Sequence, residues 1–163
     1  MTDLYEFLDE HRIGYQRCDH PPVFTCEEAE RLVPDMPAAK TKNLFLRDNK
    51  GRRHFLVIVG YEKTVDLKAL RDVLGSSKLS LGSQARLEKY LGVNPGAVSL
   101  LALINDKNQD VEVVFDAQLW QSKAFRFHPL VNSSTLAVSR DNIERFLSLT
   151  GHTPRILDVP DQK

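Results

Sequence analysis

Three places along the chain combine residue types that could act on a small charged substrate. The first is Lys42, inside AAKTKNLFLRDNKGRRHFLVIVG (residues 38–60). This stretch reads as two strands, about 41–47 and 54–59, joined by a DNKG turn whose residues tolerate hairpin backbone angles. Alternate residues of a strand share a face, so Lys42 lies on the side of Leu44 and Leu46. Such a lysine is either an edge-strand ammonium reaching to solvent or a charged donor at a pocket mouth, offered to a phosphate or carbonyl oxygen. The second place is GVNPG, Gly92 to Gly96. Gly92 reads as a helix stop. Gly96, after Asn-Pro, predicts a close backbone approach or a positive φ. The third is FRFHPLVNSST, where His128 precedes Pro129 and Asn132, Ser133, Ser134 and Thr135 crowd one loop. No nucleophile elbow or Ser-His-Asp order accompanies it. His20 reads as a turn residue. His11, His54 and His152 show no partner pattern, and no metal-ligand spacing is present.

The elements that must position these residues follow from periodicity and caps. TDLYEFLDEHR carries Leu4, Phe7 and Leu8 at helical spacing, with Thr2 or Asp3 as the cap. A short strand falls near 15–18. TCEEAERLV has a capping-box pattern and predicts a helix ending before Pro34. Asp66 caps LKALRDVL before Gly75, and Ser83 caps QARLEKYL before Gly92. SLLALI (99–104) and VEVVF (111–115) read as strands, DAQLWQS as a helical turn, and AFRF and STLAVS as short strands. SRDNIERFLSLTG reads as a capped helix. The last dozen residues read as a loose tail. The sum is one α/β or α+β domain on a mixed, largely antiparallel sheet with surrounding helices. Residues 1–155 form the domain and 156–163 its C-terminal tail.

Composition narrows the class. The chain has 163 residues, 42% hydrophobic and 27% charged, enough for one domain with a sizeable core. Basic and acidic residues balance at 22 each, which disfavours wholesale nucleic-acid backbone binding. No helix-turn-helix signal or basic stripe points to DNA. No apolar run approaches a membrane span and no signal-peptide pattern opens the chain. Cys18 and Cys26 flank a Pro-Pro turn and make no disulfide framework. The expectation is a reduced, cytoplasmic protein with neither membrane nor DNA as partner.

HPPVFTCEEAE, KTKNLFLRD, LGVNPGAVS and FHPLVNSSTLAVS, in that order over nearly the whole chain, resemble the YbaK/ProX family of aminoacyl-tRNA editing domains. The similarity is greatest to its stand-alone ProX/PrdX type, related to the editing insertion of bacterial prolyl-tRNA synthetases. The resemblance implies a trans-acting deacylase that hydrolyses the ester of mischarged alanyl-tRNA for proline. It implies Lys42, His128 and the backbone of Gly96 as catalytic. Lys42 would fix the terminal adenosine phosphate or polarise the ester, and His128 would position the aminoacyl group. Asn43, Thr25, Gly92, Pro95, Asn132 and Thr135 would shape the substrate pocket, with Val23 and Phe24 nearby. No metal or organic cofactor is implied, and the substrate's own ribose hydroxyl would activate water. The implied partners are the acceptor end of the aminoacyl-tRNA and prolyl-tRNA synthetase. Lys40, Arg47, Lys50, Arg52 and Arg53 are candidates for contacts to the acceptor stem. Rival readings are a deacylase for another mischarged tRNA, such as cysteinyl-tRNA for proline, and a non-catalytic module that binds tRNA or a synthetase.

Overall fold

The computed structural model describes residues 3–21 and 38–162. The helix expected over TCEEAERLV lies outside the described residues, as do Val23, Phe24 and Thr25.

Helix α1 (Leu4–Glu10) is capped by Asp3, whose carboxylate accepts from Glu6 N at 3.1 Å. Leu4 and Leu8 fall on one face and are buried. Strand β1 (Gln16–Asp19) follows. Strands β2 (Thr41–Arg47) and β3 (His54–Gly60) form the expected antiparallel hairpin, with Thr41 opposite Gly60 and Lys42 opposite Val59. Asp48 fastens the turn, since its Oδ1 accepts from Arg52 N and Arg53 N. Helix α2 (Leu67–Leu74) runs from the Asp66 cap to Gly75. Helix α3 (Gln84–Leu91) runs from the Ser83 cap to Gly92, whose φ of 66° closes the helix in the left-handed region. Strand β5 (Val111–Asp116), a short helix α4 (Ala117–Trp120), strands β6 (Ala124–Phe127) and β7 (Ser134–Ser139), and helix α5 (Arg140–Thr150) complete the expected order.

The architecture is α+β, with two sheets where one was expected. Strands β1, β7 and β6 form a three-stranded antiparallel sheet. The second sheet has the order β4-β2-β3-β5-β8, with β4 at Ser80–Leu81 and β8 at Arg155–Leu157. Its β3–β5 and β5–β8 pairs are parallel. The reason is burial. HFLVIV and VEVVF are near-continuous apolar runs, and parallel strands covered on both faces read that way. Ala39 joins the two sheets through Ala39 N to Ala124 O and Arg126 N to Ala39 O, both 2.9 Å.

Sheet alternation sorts two cores. Phe45, Leu56, Ile58, Val113 and Phe115 face the larger core with α1, α3, α5 and the three-stranded sheet. Leu46, Phe55, Val57, Val59 and Val114 face the smaller one, closed by Leu70 and Leu74 of α2 and by Val159.

Two expectations need correction. Residues 99–104 are not a strand. Leu100–Asn105 is a 3-10 helix, buried on all sides and capped by the Ser99 hydroxyl accepting from Leu101 N. A short apolar run suits a buried helix as well as a strand, and periodicity alone cannot separate them. The C-terminal residues are not loose either. β8 adds to the sheet beside β5, Val159 is 2% exposed, and Asp161 bridges Val65. Strand β4 was not foreseen. At its end the Gly82 backbone lies against the Phe45 ring, and a Cβ there would sit 2.4 Å from Phe45 Cδ2. Gly82→Ala is therefore expected to overpack this contact and lower stability by about 1–3 kcal/mol, read as a lower urea midpoint at unchanged slope.

Candidate functional site

At the start of β2, Thr41 and Asn43 lead on one face towards two of the candidate segments, and Lys42 lies on the other face. Thr41 and Asn43 share one face of the strand, and Asn43 Nδ2 donates to Thr41 Oγ1 at 3.2 Å. Thr41 Oγ1 donates to Arg126 O on β6 at 2.5 Å. Asn43 Oδ1 accepts from Leu100 N at 2.9 Å. These bonds tie the first turns of β2 to two predicted loops. One is the segment that follows Gly92–Gly96; the other is the β6–β7 hairpin that carries His128.

Lys42 lies between Thr41 and Asn43, so its side chain takes the opposite face, with Leu44 and Leu46, as alternation predicts. It is half-buried, and its ammonium donates to the Lys63 carbonyl in the turn after β3. An ammonium has three donors, so two N–H groups are left to meet a substrate. Lys63 in turn donates from Nζ to Asp116 Oδ1 (3.2 Å) and Val159 O (2.8 Å). Lys63 and Asp116 also wall a cavity of ≈ 430 Å³ beyond the C-terminal ends of β3 and β5, with Lys40, Tyr61, Gln118 and Asp161 around it. In sheets with parallel strands, ligands favour that end.

The GVNPG loop is built differently from expectation. Gly92 is the stop of α3. Pro95–Ala97 is one 3-10 turn with Pro95 at its first position. Gly96 lies outside the left-handed region, so the positive-φ explanation of that glycine is withdrawn. Asn94 and Pro95 are exposed and Gly96 is half-buried.

His128 is half-buried and fixed by one bond. Its Nδ1 lies 2.9 Å from Ser134 O. A carbonyl only accepts, so Nδ1 carries the proton and Nε2 presents its lone pair. Burial is the largest influence and pushes the imidazole below the ordinary histidine value, outweighing the Ser134 bond; neighbouring His20 pushes the same way. His128 is therefore neutral at pH 7. The loop after it holds Leu130 at a φ of 68°, which costs a non-glycine residue roughly 1–2 kcal/mol. Strain of this kind clusters at functional sites.

His20, read from the sequence as a turn residue, belongs to this group. Its Nδ1 meets Pro21 O at 2.8 Å and its Nε2 meets Thr135 Oγ1 at 2.9 Å. The Thr135 hydroxyl therefore donates to His20, whose ring centroid lies 6.4 Å from that of His128. Beside it, Ser134 Oγ donates to Asp19 Oδ1 at 2.6 Å. Thr135 is buried and Asn132 half-buried. The signal for His20 was the β1–β7 register, which places Asp19 opposite Ser134, and no local pattern carries it.

The predicted tRNA-contact residues separate. Lys40 sits near Lys42, with its ammonium 5.0 Å from the Tyr61 ring centroid. Arg47, Lys50, Arg52 and Arg53 lie at the far turn of the hairpin, about 17 Å away along β2. There Arg47 donates to Asp48 O and Asn49 O, and Arg53 grips Glu112 with two bonds of 2.9 Å. Lys50 and Arg52 are exposed. Thr25 lies outside the described residues. Among the described residues no three His, Cys, Asp or Glu side chains converge as a metal site, and no helix is long and apolar enough to cross a membrane.

Residues 20–146 match the model of the aminoacyl-tRNA editing domain family. The prolyl-tRNA editing protein ProX of Acetoanaerobium sticklandii is 41% identical over 152 residues, 93% of each chain. The prolyl-tRNA synthetase associated domain-containing protein 1 of Danio rerio is 38% identical, covering 95% of this chain and 85% of its own. Among solved structures, hypothetical protein APE2540 superposes with a TM-score of 0.75 at 19% identity, over 97% of this chain and 99% of that one. The chain belongs to the aminoacyl-tRNA editing domain family.

Because folding depresses the His128 pKa, its contribution to stability is complete above the unfolded histidine value. It is lost as pH falls through the folded value. His54, buried beside Arg86, is pushed the same way. Wild type should therefore lose melting temperature between about pH 7.5 and pH 5.5, and His128→Gln should lose less over that interval. Equal losses in thermal melts of both proteins would contradict the assignment.

Proposed function

We propose that the chain is a stand-alone aminoacyl-tRNA deacylase that removes alanine mischarged onto the tRNA for proline. The observation that carries this reading is the near full-length similarity to a prolyl-tRNA editing protein. The chemistry has a physical rationale. A synthetase pocket shaped for proline rejects the smaller alanine weakly, since a missing methylene is worth only about 1–3 kcal/mol. A second pocket too small for proline hydrolyses what enters it.

In this reading the Lys42 ammonium, oriented by Lys63 O, donates to the ester carbonyl oxygen or to the terminal phosphate, where negative charge sits or develops. The neutral His128 offers Nε2 to the α-ammonium of the alanyl group and so holds the ester in place. The free hydroxyl of the terminal ribose orients the attacking water. Water adds to the ester carbon, the bond to the ribose oxygen breaks, and the products are alanine and uncharged tRNA. Positioning and electrostatics supply the rate, because no side chain here acts as a nucleophile. In this reading the backbone of the Gly92–Gly96 loop and the Asn132–Thr135 segment would contribute to the pocket for the aminoacyl group. Lys40 near Lys42, and Lys50 and Arg52 at the far turn of the hairpin, would meet the acceptor end at separate points, and Arg47 and Arg53 would join the latter by leaving their present partners. Prolyl-tRNA synthetase, which produces the mischarged ester, is the natural partner.

The test is single-turnover deacylation of alanyl-, cysteinyl- and prolyl-tRNA for proline by wild type and Lys42→Ala. Rapid loss of alanine with proline spared is expected, and Lys42→Ala should be slower by about 10²–10³-fold. Preference for cysteine would replace the substrate. Failure to hydrolyse any of the esters while tRNA binds would replace the enzyme with a binding module.

A further inference from the structure

The C-terminal segment is wound around the turn that receives Lys42. Asp116, at the end of β5, is 2% exposed, and its Oδ1 accepts from Val159 N at 3.0 Å and from Lys63 Nζ at 3.2 Å. Lys63 Nζ also donates to Val159 O at 2.8 Å. The three groups close a small ring of bonds in a region of low solvent access, where an ion pair is held firmly only when its remaining valences are filled. The next residues are strapped as well. Thr64 N donates to Asp161 Oδ1, Gln162 N to Thr64 O, and Asp66 N to Pro160 O, at 3.1, 2.8 and 2.9 Å. Every residue from Lys63 to Asp66 thus meets residues 159–162 through one of these bonds or through the Val65–Asp161 bridge. The carbonyl at the head of this strapped turn, Lys63 O, is the one that accepts from the Lys42 ammonium.

We propose that Lys63 is a positioning residue for the deacylation reaction. Its side chain, anchored on Asp116 and Val159, holds its own carbonyl where it orients the ammonium of Lys42. The C-terminal segment is then part of the reaction's scaffold and not an appendage. A lysine side chain has four rotatable bonds and a strongly hydrated head, so an unguided Lys42 would spread over many positions at the edge of the sheet. One fixed acceptor removes most of that freedom and aims the other two N–H groups. A strap serves this purpose better than a turn alone, because loop backbone opens locally at little cost.

The inference rests on Lys42 acting on the ester as proposed above, and the experiment separates the two ideas. Wild type, Lys42→Ala, Lys63→Met, Lys63→Arg and the Lys42→Ala/Lys63→Met double variant are compared on alanyl-tRNA for proline. Lys63→Met keeps the backbone carbonyl and removes its anchors. It should lower the single-turnover rate at saturating enzyme by about 10- to 100-fold, leave the enzyme concentration for half-saturation unchanged, and be partly rescued by Lys63→Arg. In the Lys42→Ala background it should cost little more, because the group it positions is already gone. A full, additive loss in that background would mark Lys63 as merely structural and overturn the proposal. So would a wild-type rate for Lys63→Met alongside an inactive Lys42→Ala, which leaves the deacylase reading intact. A fully active Lys42→Ala would overturn both. Should Lys63→Met melt below the assay temperature, Asp116→Asn, which removes the charge that holds Lys63 Nζ while keeping an oxygen acceptor for Val159 N, enters the same cycle with the same criteria.

Discussion

Strand β3 is covered on both faces, and the remainder of the molecule is arranged around that constraint. His54 to Val59 are all buried, so the sheet is a wall between two cores and every flanking strand must sort its residues between them. On β2 this sorting has chemical consequences. Thr41 and Asn43 go to the larger core's side and bind the backbones of β6 and the 3-10 helix. Lys42 goes to the other side and binds the turn after β3. A one-residue slip of register would exchange these roles. The seven-residue pairing with β3 and the Asp48 turn forbid it.

Most buried polar groups among the described residues are paired, the Tyr5 hydroxyl and the Arg140 Nε being without a hydrogen-bond partner. Burial pushes the Asp106 carboxyl up, but bonds from His152 and from the N–H groups of Val111 and Asp110 outweigh it and hold it below the usual carboxylate range. His152 bridges Asp106 and the Thr150 hydroxyl at 2.8 Å each, which joins the end of α5 to the start of β5. His54 lies against the Tyr90 ring with Arg86 at its Nε2. These histidines are structural ties. His128 differs in lying just before the strained Leu130, near His20, with one nitrogen committed to the backbone and the other open.

Helices α1, α2, α3 and α5 were legible in the sequence because their signals are local. Asp3, Asp66, Ser83 and Ser139 cap and Gly75, Gly92 and Gly151 stop, each within a few residues of the turn it satisfies. The β2–β3 hairpin was legible for the same reason, and with it the face on which Lys42 lies. The four motifs, in order, carried the family. The 3-10 helix at Leu100–Asn105 was misread because a fully buried apolar run has no polar face to reveal its period.

What the sequence could not contain is which distant segments meet. That β5 pairs with β3 in parallel, and that residues 155–162 return to close the small core, depends on burial summed over the whole sheet. No window of the chain reports that sum. The partners of Lys42 show the division plainly. The side of the strand it occupies is a matter of alternation between neighbours and was fixed by sequence alone. That its ammonium ends on Lys63 O, and that Lys63 is held by Asp116 and Val159, required three stretches separated by dozens of residues to pack together. Long-range hydrogen bonds of that kind exist only once the solvent has been excluded around them, and the tertiary structure alone decides where that happens.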